Sequence, residues 1–331
     1  MSVVANFLVV LLWLVACAQP SLCVFGFRRT VQSAYDFVLG EPCNEHWTTY
    51  NLTQLDKALD ANLFGQHLVE KYLPKLIRSH RLAPSNKALA VALHGSTGTG
   101  KTYVTQLVAQ HLLKLGEQSQ YFHRFIANRH FPLSGKEHVQ RYKHQLASWI
   151  SGNSSRCGYS LFVFEEIEKF PEGLIDEVLP FLEPFAHIEG VDYRNTIFIF
   201  TTNLGAKEIA AQVHDHYQAG HQRHKLQASI FDRVLSKYSY NSDGGFKFSS
   251  LITKQVIDLH LPFLPLESKH IKECIKVEIR KMSNHCKFTD DLVSTIANQV
   301  VYYDFGKDAD LNNLFARGGC KKIRSQVHIH C

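Results

Sequence analysis

One stretch constrains the fold of this chain more than any other: ALAVALHGSTGTGKTYV, residues 88 to 104. It begins with a continuous apolar run, Ala88 to Leu93, which is typical of a strand buried inside a parallel sheet. A glycine-rich loop follows, and apolar side chains then recur at helical spacing at Val104, Leu107, Val108, Leu112 and Leu115. The order strand, loop, helix predicts an α/β fold with a parallel sheet flanked by helices.

The loop itself, Gly95 to Thr102, fits the pattern G-x-x-x-x-G-K-[ST] that cradles nucleotide phosphates. Its glycines allow backbone N–H groups to surround an anion without Cβ clashes, and the helix N-terminus adds positive potential. Lys101 is then expected to neutralise the β and γ phosphates, and the Thr102 hydroxyl to bind Mg²⁺. We therefore predict ATP and Mg²⁺ as cofactors, contacted in this loop by Gly95, Ser96, Thr97, Gly98, Thr99, Gly100, Lys101, Thr102 and Tyr103.

Two further apolar segments end in polar side chains. The strand predicted at residues 161–164 leads into Glu165 and Glu166, and the one at 196–201 is followed by Asn203. Ligands bind at the carboxyl ends of parallel strands. Glu165 is thus expected to hold Mg²⁺ through water, and Glu166 to orient or deprotonate an attacking water. Asn203 is placed to reach the γ-phosphate or its water, with a simple turn as the alternative. The predicted catalytic residues are Glu166, Lys101 and Asn203.

The amino terminus has the form of an export signal. Residues 1–27 contain no charged side chain, residues 7–15 are almost entirely apolar, and residues 16–18 fit the small-x-small pattern before a cleavage site. We predict a signal peptide over residues 1–18, with an uncleaved short anchor as the alternative because a basic n-region is missing. Residues 19–42 are then an amino-terminal segment that is a candidate for peripheral membrane association.

Composition limits the class of protein. The chain has 331 residues, 45% of them hydrophobic and 20% charged, which predicts a globular protein of one large or two modest domains. Lys and Arg exceed Asp and Glu by 6, yet they are scattered along the chain. Because a surface that follows phosphates needs clustered positive charge, we expect no nucleic-acid partner.

Cysteine and asparagine usage agrees with export. Six cysteines follow the amino-terminal segment, and six cysteines allow fifteen pairings, among which the spacing does not choose. An oxidising compartment would permit disulfides among Cys43, Cys157, Cys274, Cys286, Cys320 and Cys331. Asn51 and Asn153 begin N-x-[ST] triplets and are predicted glycosylation sites. The stretch SGNSSRCG around Asn153 is predicted to be a polar surface loop.

Several motifs occur in an order that resembles Clp-type AAA+ ATPases, and more specifically the torsin family. The segment NLFGQHLVEKYLP resembles the Gly-Gln box of Clp-type proteins, whose backbone at Leu63 and Phe64 would border the adenine. The torsin-like segments include LFGQHL, GSTGTGK, GLIDEVLPFLEPF, FIFTTNLGA, GGFKFSSLI, LPFLPLESKHIKECIKVEI and GGCKKI. They cover about residues 43 to 327.

The resemblance implies a fold, a location and further site residues. It implies a large α/β ATPase domain at residues 43–265 and a small helical lid domain at residues 266–331, in which Lys321 serves as sensor II. It also implies residence in the lumen of the endoplasmic reticulum and nuclear envelope. Cys274 and Cys320 correspond to two torsin cysteines that pair, and we expect Cys43–Cys157 as a second bridge. The roles of Cys286 and Cys331 stay open.

The chain departs from the family pattern in its nucleotide motifs. Torsins generally carry Asn at the position of Thr102, so the usual Mg²⁺ ligand is present here. Asp is commoner than Glu at the position of Glu165, and the longer side chain changes the reach toward the metal. Threading of a substrate is not expected, because residues 127–150 lack the aromatic-Gly pair of pore loops.

An arginine is missing where Clp-type rings carry one. Residues 248–266 contain no arginine, and Lys254 is their only cation. The resemblance implies that the lumenal domain of a membrane-anchored activator supplies an arginine in trans, within a homo-oligomer or a mixed ring. The expected function is that of an activator-dependent ATP hydrolase that remodels protein or membrane assemblies. A nucleotide-gated binding module with little hydrolysis and a small-molecule kinase are the alternatives.

The carboxyl-terminal region is predicted to be helical. One apolar face is formed by Leu292, Val293, Ile296, Ala297, Val300 and Val301. The chain ends in HIHC, which could be read as a metal site, but a frayed tail is the expectation at a chain end.

Overall fold

The computed structural model describes residues 41–133, 135–185, 187–282, 286, 288–302 and 314–331. The predicted signal peptide and almost all of the predicted amino-terminal segment lie outside these residues. The strands are β1 Leu89–His94, β2 Phe122–Ile126, β3 Leu161–Glu165, β4 Ile197–Thr202 and β5 Leu259–Pro262. The helices of the large α/β part are α1 Glu45–Thr48, α2 Leu55–Asn62, α3 His67–Leu82, α4 Lys101–Leu112, α5 Ala127–His130, α6 Lys136–Arg156, α7 Leu179–Leu182, α8 Ala206–Gln218, α9 Ala228–Asn241 and α10 Ser250–Thr253.

The five strands form one parallel sheet in the order β2-β3-β4-β1-β5. β1 lies between β4 and β5, and Val91 is in register with Ile199 on one side and Leu259 on the other. β1, β3 and β4 are buried along their whole length, which explains why they appear in the sequence as continuous apolar runs. The parallel arrangement brings the carboxyl ends of the strands to one edge of the sheet.

Each face of the sheet is covered by a separate apolar layer. On one face, Phe162, Phe164, Phe198 and Phe200 belong to a cluster with residues of α6. On the opposite face, alternate residues of the same strands pack with the apolar side of α4. Burial on both faces fixes the register, because a shift by one residue would exchange the two sets of side chains. The loop between β1 and α4 is therefore held in a fixed position.

The described residues of the carboxyl-terminal part form the helices α11 Ser268–Lys281, α12 Asp290–Asn298 and α13 Ile323–His330. Their apolar faces share one buried cluster that extends from Leu266 to Val327. The face predicted from the sequence is present in α12 at Val293, Ile296 and Ala297. Val301 is different, because α12 ends at Asn298 and the Val301 side chain is 65% exposed.

Three disulfides cross-link the described part of the chain: Cys43–Cys157, Cys274–Cys320 and Cys286–Cys331. The first is the expected second bridge, and the second is the pairing implied by the family resemblance. The third shows the partners of the two cysteines that the sequence left open. Cys331 is the last residue of the chain, so this bond ties the end of α13 to the segment that follows α11.

Three expectations from the sequence were wrong in detail. Asn153 does not lie in a loop, because α6 continues to Arg156 and the Asn153 Nδ2 donates a hydrogen bond to the Trp149 carbonyl. The carboxyl terminus is not frayed: it forms α13, whose Val327 is fully buried. The helix after the phosphate loop ends at Leu112, so Leu115 lies outside it. The helices of the described ranges include none that is long and apolar enough to cross a membrane.

A buried pair of histidines leads to a prediction about pH. The His94 Nε2 lies 3.0 Å from the His260 Nδ1, and burial lowers the pKa of His260 to about 4, against the weaker opposing effect of Asp232. Unfolding exposes this imidazole, whose pKa then returns to about 6.5. The contribution of the neutral His260 to the free energy of unfolding is therefore complete above pH 6.5. It is lost as the pH falls toward 4, at about 1.4 kcal/mol per pH unit.

Urea unfolding at pH 7.5, 6.0 and 5.0 measures this dependence. We expect the free energy of unfolding of the native protein to decrease as the pH is lowered from 7.5 to 5.0. The decrease should be smaller in His260→Phe. The exposed His328 offers a control, because His328→Phe should keep the native slope. An unchanged slope in His260→Phe would contradict the assignment.

Candidate functional site

The phosphate loop lies between the end of β1 and the start of α4. Gly98 has a φ of 75°, and a Cβ at this position would lie 2.1 Å from the Gly318 carbonyl oxygen. Only glycine can adopt this conformation and allow the approach. The Cys320 N–H also donates to the Gly98 carbonyl at 2.9 Å. The loop and the carboxyl-terminal part of the chain thus contact each other directly through the backbone.

Lys101 begins α4, and its side chain turns back over the loop. Its Nζ donates hydrogen bonds to the Gly95 and Ser96 carbonyls at 2.5 and 2.9 Å, and to the Asn203 Oδ1 at 3.0 Å. Burial lowers the pKa of Lys101 to about 8, although the carboxylates of Glu168, Glu165 and Glu166 oppose this shift. The lysine predicted to meet the phosphates therefore lies beside the residue predicted as the sensor.

Glu165 lies at the end of β3 and is buried. Its Oε2 accepts hydrogen bonds from the Thr102 hydroxyl at 3.0 Å and the Thr201 hydroxyl at 2.8 Å. Its Oε1 is buried and has no hydrogen-bond partner among the described atoms. The nearest cation is Arg124, whose Nε is 3.6 Å from this oxygen. The structure therefore brings together Thr102 and Glu165, the two predicted metal ligands.

Glu166 differs sharply from its neighbour. It adopts a left-handed backbone conformation with a φ of 57°, and its N–H donates to the Thr201 hydroxyl at 3.1 Å. The side chain is 42% exposed and forms an ion pair with the Lys169 Nζ at 2.6 Å. The sharp turn at the end of β3 thus directs the two carboxylates differently, one into the buried site and one toward solvent.

Glu168 is a site residue that the sequence analysis missed. One of its oxygens accepts from the Asn203 Nδ2 at 2.5 Å, and the other accepts from the Thr202 hydroxyl at 2.8 Å and the Asn203 N–H at 3.2 Å. Because the amide nitrogen of Asn203 faces Glu168, its Oδ1 faces Lys101. Glu168 therefore orients the predicted sensor, and only its position two residues after Glu166 could have indicated this.

Replacing Glu168 with alanine should lower turnover at least about tenfold with little change in ATP affinity, because the bond that orients the Asn203 amide is made to a charged group and such a bond contributes about 1.5 kcal/mol or more. The measurement is the steady-state rate of ATP hydrolysis together with the equilibrium Kd for ATP. Glu172→Ala is the matched control, since Glu172 is an exposed carboxylate nearby that makes no contact with Asn203. Equal rates for the two variants would contradict a positioning role.

The Gly-Gln segment is joined to the loop by a buried glutamine. The Gln66 Nε2 donates to the Thr99 carbonyl at 3.2 Å and the Leu264 carbonyl at 2.9 Å, while its Oε1 accepts from the Leu264 N–H at 2.8 Å. This glutamine therefore links α3 and the segment after β5 to the phosphate loop. Leu63 and Phe64, the predicted contacts of the base, immediately precede it and line the same cavity.

The site opens into a cavity of about 610 Å³ between the sheet edge and helices α11 and α13. Its walls contain most of the predicted contacts: Leu63, Phe64, residues 97–103, Glu165, Glu166, Asn203 and Lys321. Gly95 and Ser96 are not among the wall residues; their carbonyls accept from Lys101 beneath the loop. Lys321 lies between the Cys274–Cys320 disulfide and α13, on the lid side of the cavity. Its side chain is exposed.

Two arginines in the cavity wall were not predicted. Arg124 comes from β2 and Arg324 from the first turn of α13, three residues after Lys321. Neither belongs to a recognisable motif. Arg324 follows Lys321 by three residues and lines the same cavity, so its closeness to Lys321 could have indicated it, whereas no sequence signal indicated Arg124.

The residues at this site fit a nucleotide with a magnesium ion. The buried Oε1 of Glu165 lacks a hydrogen-bond partner, and the Thr102 hydroxyl is next to the same carboxylate. Both are oxygen ligands of the hard type that Mg²⁺ prefers. In the described part of the chain, no group of three or more His, Cys, Asp or Glu could hold a metal alone. Thr102 and Glu165 would therefore hold Mg²⁺ only together with phosphate and water oxygens.

Comparisons with solved structures agree with this geometry. The S. cerevisiae Hsp104–ADP complex is similar over 91% of this chain and 50% of that chain, with a TM-score of 0.61 and 18% identity. The extended conformation of the S. cerevisiae Hsp104:casein complex is similar over 89% and 49%, with a TM-score of 0.57 and 19% identity. The chain thus spans about half the length of these neighbours. The fold is that of an AAA+ P-loop protein with a helical carboxyl-terminal region, as predicted.

Sequence comparisons identify the family. The torsin profile matches residues 37–164, and the profile of the Torsin-1A C-terminal domain matches residues 266–329. A "Torsin-like protein" of Caenorhabditis elegans is 33% identical over 293 residues, which is 88% of this chain and 80% of that protein. The resemblance stated from the motifs is therefore confirmed, and the chain belongs to the torsin family.

Proposed function

We propose that this chain binds ATP with Mg²⁺ and hydrolyses it when an activator protein completes the site. The observation that carries the proposal is the hydrogen bond from the Lys101 Nζ to the Asn203 Oδ1 at 3.0 Å, at the end of a sheet where Glu165 and Glu166 line the same cavity. A lysine, a sensor amide and two carboxylates thus share one cavity. This combination suits the transfer of a phosphoryl group to water.

Each residue has a distinct part in the proposed reaction. Bound Mg²⁺ would neutralise charge on the phosphates, with Thr102 and Glu165 holding it. Lys101 exchanges its bonds to the loop carbonyls for bonds to phosphate oxygens, and Asn203 orients the attacking water while Glu168 fixes its amide. Glu166 accepts a proton from that water after its carboxylate leaves Lys169. The Gly-Gln segment and the carboxyl-terminal helices exclude solvent from the adenine of the nucleotide.

The proposal that an activator is needed rests on the arginine that is absent from residues 248–266, where Clp-type rings carry one. Residues 248–266 contain no arginine, and the Lys254 Nζ is engaged in an ion pair with Glu183 at 2.8 Å. In well-measured GTPases an arginine supplied by a partner raises the rate about 10³- to 10⁵-fold. We propose that a membrane-anchored protein supplies the arginine from its lumenal domain, in a homo-oligomeric or mixed ring. The nucleotide cycle would then remodel protein or membrane assemblies.

The test uses the full chain and its Glu166→Gln variant. With ATP present, Glu166→Gln should capture an activator from detergent-treated endoplasmic reticulum extract, and the captured protein should accelerate ATP turnover by the unmodified chain. The same extract without ATP is the control for nonspecific capture. Turnover that no captured protein accelerates would contradict activator dependence.

A second candidate function is a nucleotide-gated binding module with little hydrolysis. It is favoured by one observation, the 2.6 Å ion pair in which Lys169 occupies the Glu166 carboxylate. If this pair persists when ATP is bound, the chain would bind nucleotide without turning it over. Cells that express only Glu166→Gln distinguish the two functions, because a binding module keeps its activity in that variant and an ATPase does not.

We also propose that the chain resides in the lumen of the endoplasmic reticulum and nuclear envelope. Three disulfides support an oxidising compartment. Asn51 is the better placed of the two proposed glycosylation sites, since it makes no capping hydrogen bond, whereas the Asn153 amide is engaged with Trp149. A mobility shift on endoglycosidase treatment, lost in Asn51→Gln, would support this location.

We further propose a large domain at residues 43–265 and a lid domain at 266–331. The buried cluster from Leu266 to Val327 and the profile match over 266–329 support this boundary. Limited proteolysis near residue 266 would test it.

A further inference from the structure

The cavity contains a cation from this chain beside the buried carboxylate of Glu165. Arg124 lies in β2 at the edge of the sheet, in register with Val163 of β3. Val163 and Glu165 are two residues apart and point to the same face, so the Arg124 side chain runs toward Glu165. The separation between the Arg124 Nε and the Glu165 Oε1 is 3.6 Å.

The contact is electrostatic and leaves both atoms unsatisfied. At 3.6 Å it is longer than a hydrogen bond, and both the Arg124 Nε and the Glu165 Oε1 are buried without a partner in the described ranges. The other Glu165 oxygen accepts from two hydroxyls. Oε1 is therefore the atom that remains open to a cation.

A second carboxylate holds the far end of the guanidinium. The Arg124 Nη2 donates to the Glu117 Oε1, and the guanidinium lies 5.0 Å over the Phe122 ring. The Arg124 side chain is 24% exposed. With these two contacts, the arginine is kept near Glu165 and has little freedom to move out into solvent.

We propose that Arg124 is a positioning residue that competes with Mg²⁺ for Glu165 and so sets how far nucleotide binding depends on the metal. This inference rests on the proposed function, since it presumes that ATP and Mg²⁺ bind at this cavity. A guanidinium and a divalent cation repel each other, and a site of reduced dielectric constant strengthens that repulsion. In the absence of metal, Arg124 balances the Glu165 charge and presents positive potential to the phosphates.

As a consequence, the affinity of the native chain for ATP should depend only weakly on Mg²⁺. Mg²⁺ held by Glu165 would lie beside this retained guanidinium, so the repulsion between the two cations cancels part of the metal's contribution to ATP binding. When Arg124 is replaced by leucine, Glu165 is left uncompensated without metal, and ATP then binds well only together with Mg²⁺. The ratio of the ATP Kd in EDTA to the Kd in Mg²⁺ is thus the quantity that Arg124 controls.

The experiment measures that ratio by isothermal titration of ATP into the full chain with its disulfides intact. A Mn²⁺ titration at saturating ATP, followed by electron paramagnetic resonance, reports metal affinity separately from hydrolysis. In Arg124→Leu we expect the Kd ratio to rise at least about tenfold and Mn²⁺ to bind at least about tenfold more tightly. The reason is that the variant removes the repulsion between the guanidinium and the divalent cation. Arg124→Lys keeps the charge and should remain near the native ratio.

Arg324→Leu is the matched control, because it removes another cavity arginine, whereas the cation that the structure pairs with Glu165 is Arg124. It should alter the ATP Kd equally with and without metal and leave the ratio unchanged. If the native chain does not bind ATP in Mg²⁺, the proposed function itself is wrong. If it binds ATP but Arg124→Leu keeps the native ratio and Mn²⁺ affinity, only the inference about Arg124 is overturned. If Arg124→Leu does not fold, a native ratio in Arg124→Ala overturns it equally.

Discussion

Replacing Glu166 with glutamine should reduce the rate of ATP hydrolysis by about 10²- to 10⁴-fold, the usual contribution of a general base. The affinity for ATP should stay within about twofold, because in the described ranges Glu166 forms no hydrogen bond with the phosphate loop or Lys101 and its carboxylate pairs with Lys169. Gln preserves the shape of the side chain and the turn at the end of β3. The loss would therefore report the missing base and not a disrupted fold.

The measurement is single-turnover hydrolysis of radiolabelled ATP in the presence of the captured activator. Glu172→Gln provides the control, since it removes an exposed carboxylate of the same region. Lys169→Met is an informative second variant: it frees Glu166 from its ion pair and should raise the rate. A Glu166→Gln rate within threefold of the native rate would show that another group activates the water.

Replacing Lys101 with methionine should weaken ATP binding by about 100-fold, because a hydrogen bond to a charged group contributes up to about 3 kcal/mol. The lysine is buried, and its three hydrogen bonds hold the loop carbonyls and Asn203 in place. Methionine has a similar length but offers neither charge nor donors. The loss should appear in EDTA as well as in Mg²⁺, since the lysine meets the phosphates directly.

Equilibrium titration with ATP measures this loss, and thermal melting checks that the variant is folded. Lys207→Met is the control, because Lys207 lies in the first turn of another helix, α8, and is exposed. It should bind ATP with native affinity. Native affinity in Lys101→Met would place the phosphates away from this loop and would contradict the proposed site.

Much of the site could be predicted because its motifs are local. The phosphate loop, the two glutamates at the end of β3 and the asparagine after β4 each lie where a buried strand ends, and parallel strands end at one edge of the sheet. The positions of these site residues could therefore be predicted, because each residue is adjacent in sequence to a recognisable strand. Asn153 is the opposite case: the polar residues around it predict a loop, whereas α6 continues through them to Arg156.

Contacts between residues of different strands could not be predicted from local motifs. Arg124 and Glu117 precede Glu165 by some forty residues or more, and no pattern in their own segments marks them. Glu168 was not noticed because its role depends on the turn at Glu166, which directs it toward Asn203. Such relations depend on the register of neighbouring strands and on turn geometry, which only the assembled fold determines.

The amino-acid sequence by itself determined the parallel α/β fold, the phosphate loop and the torsin family, because continuous apolar strands and short contiguous motifs carry those properties locally. The tertiary structure alone decided which groups face the buried oxygen of Glu165, which carboxylate orients Asn203, and which cysteine bonds to the last residue. These depend on side chains distant in sequence whose separations are set by strand pairing and helix packing. The arginine missing from residues 248–266 was visible in the sequence, whereas Arg124 in the cavity became visible only in the fold.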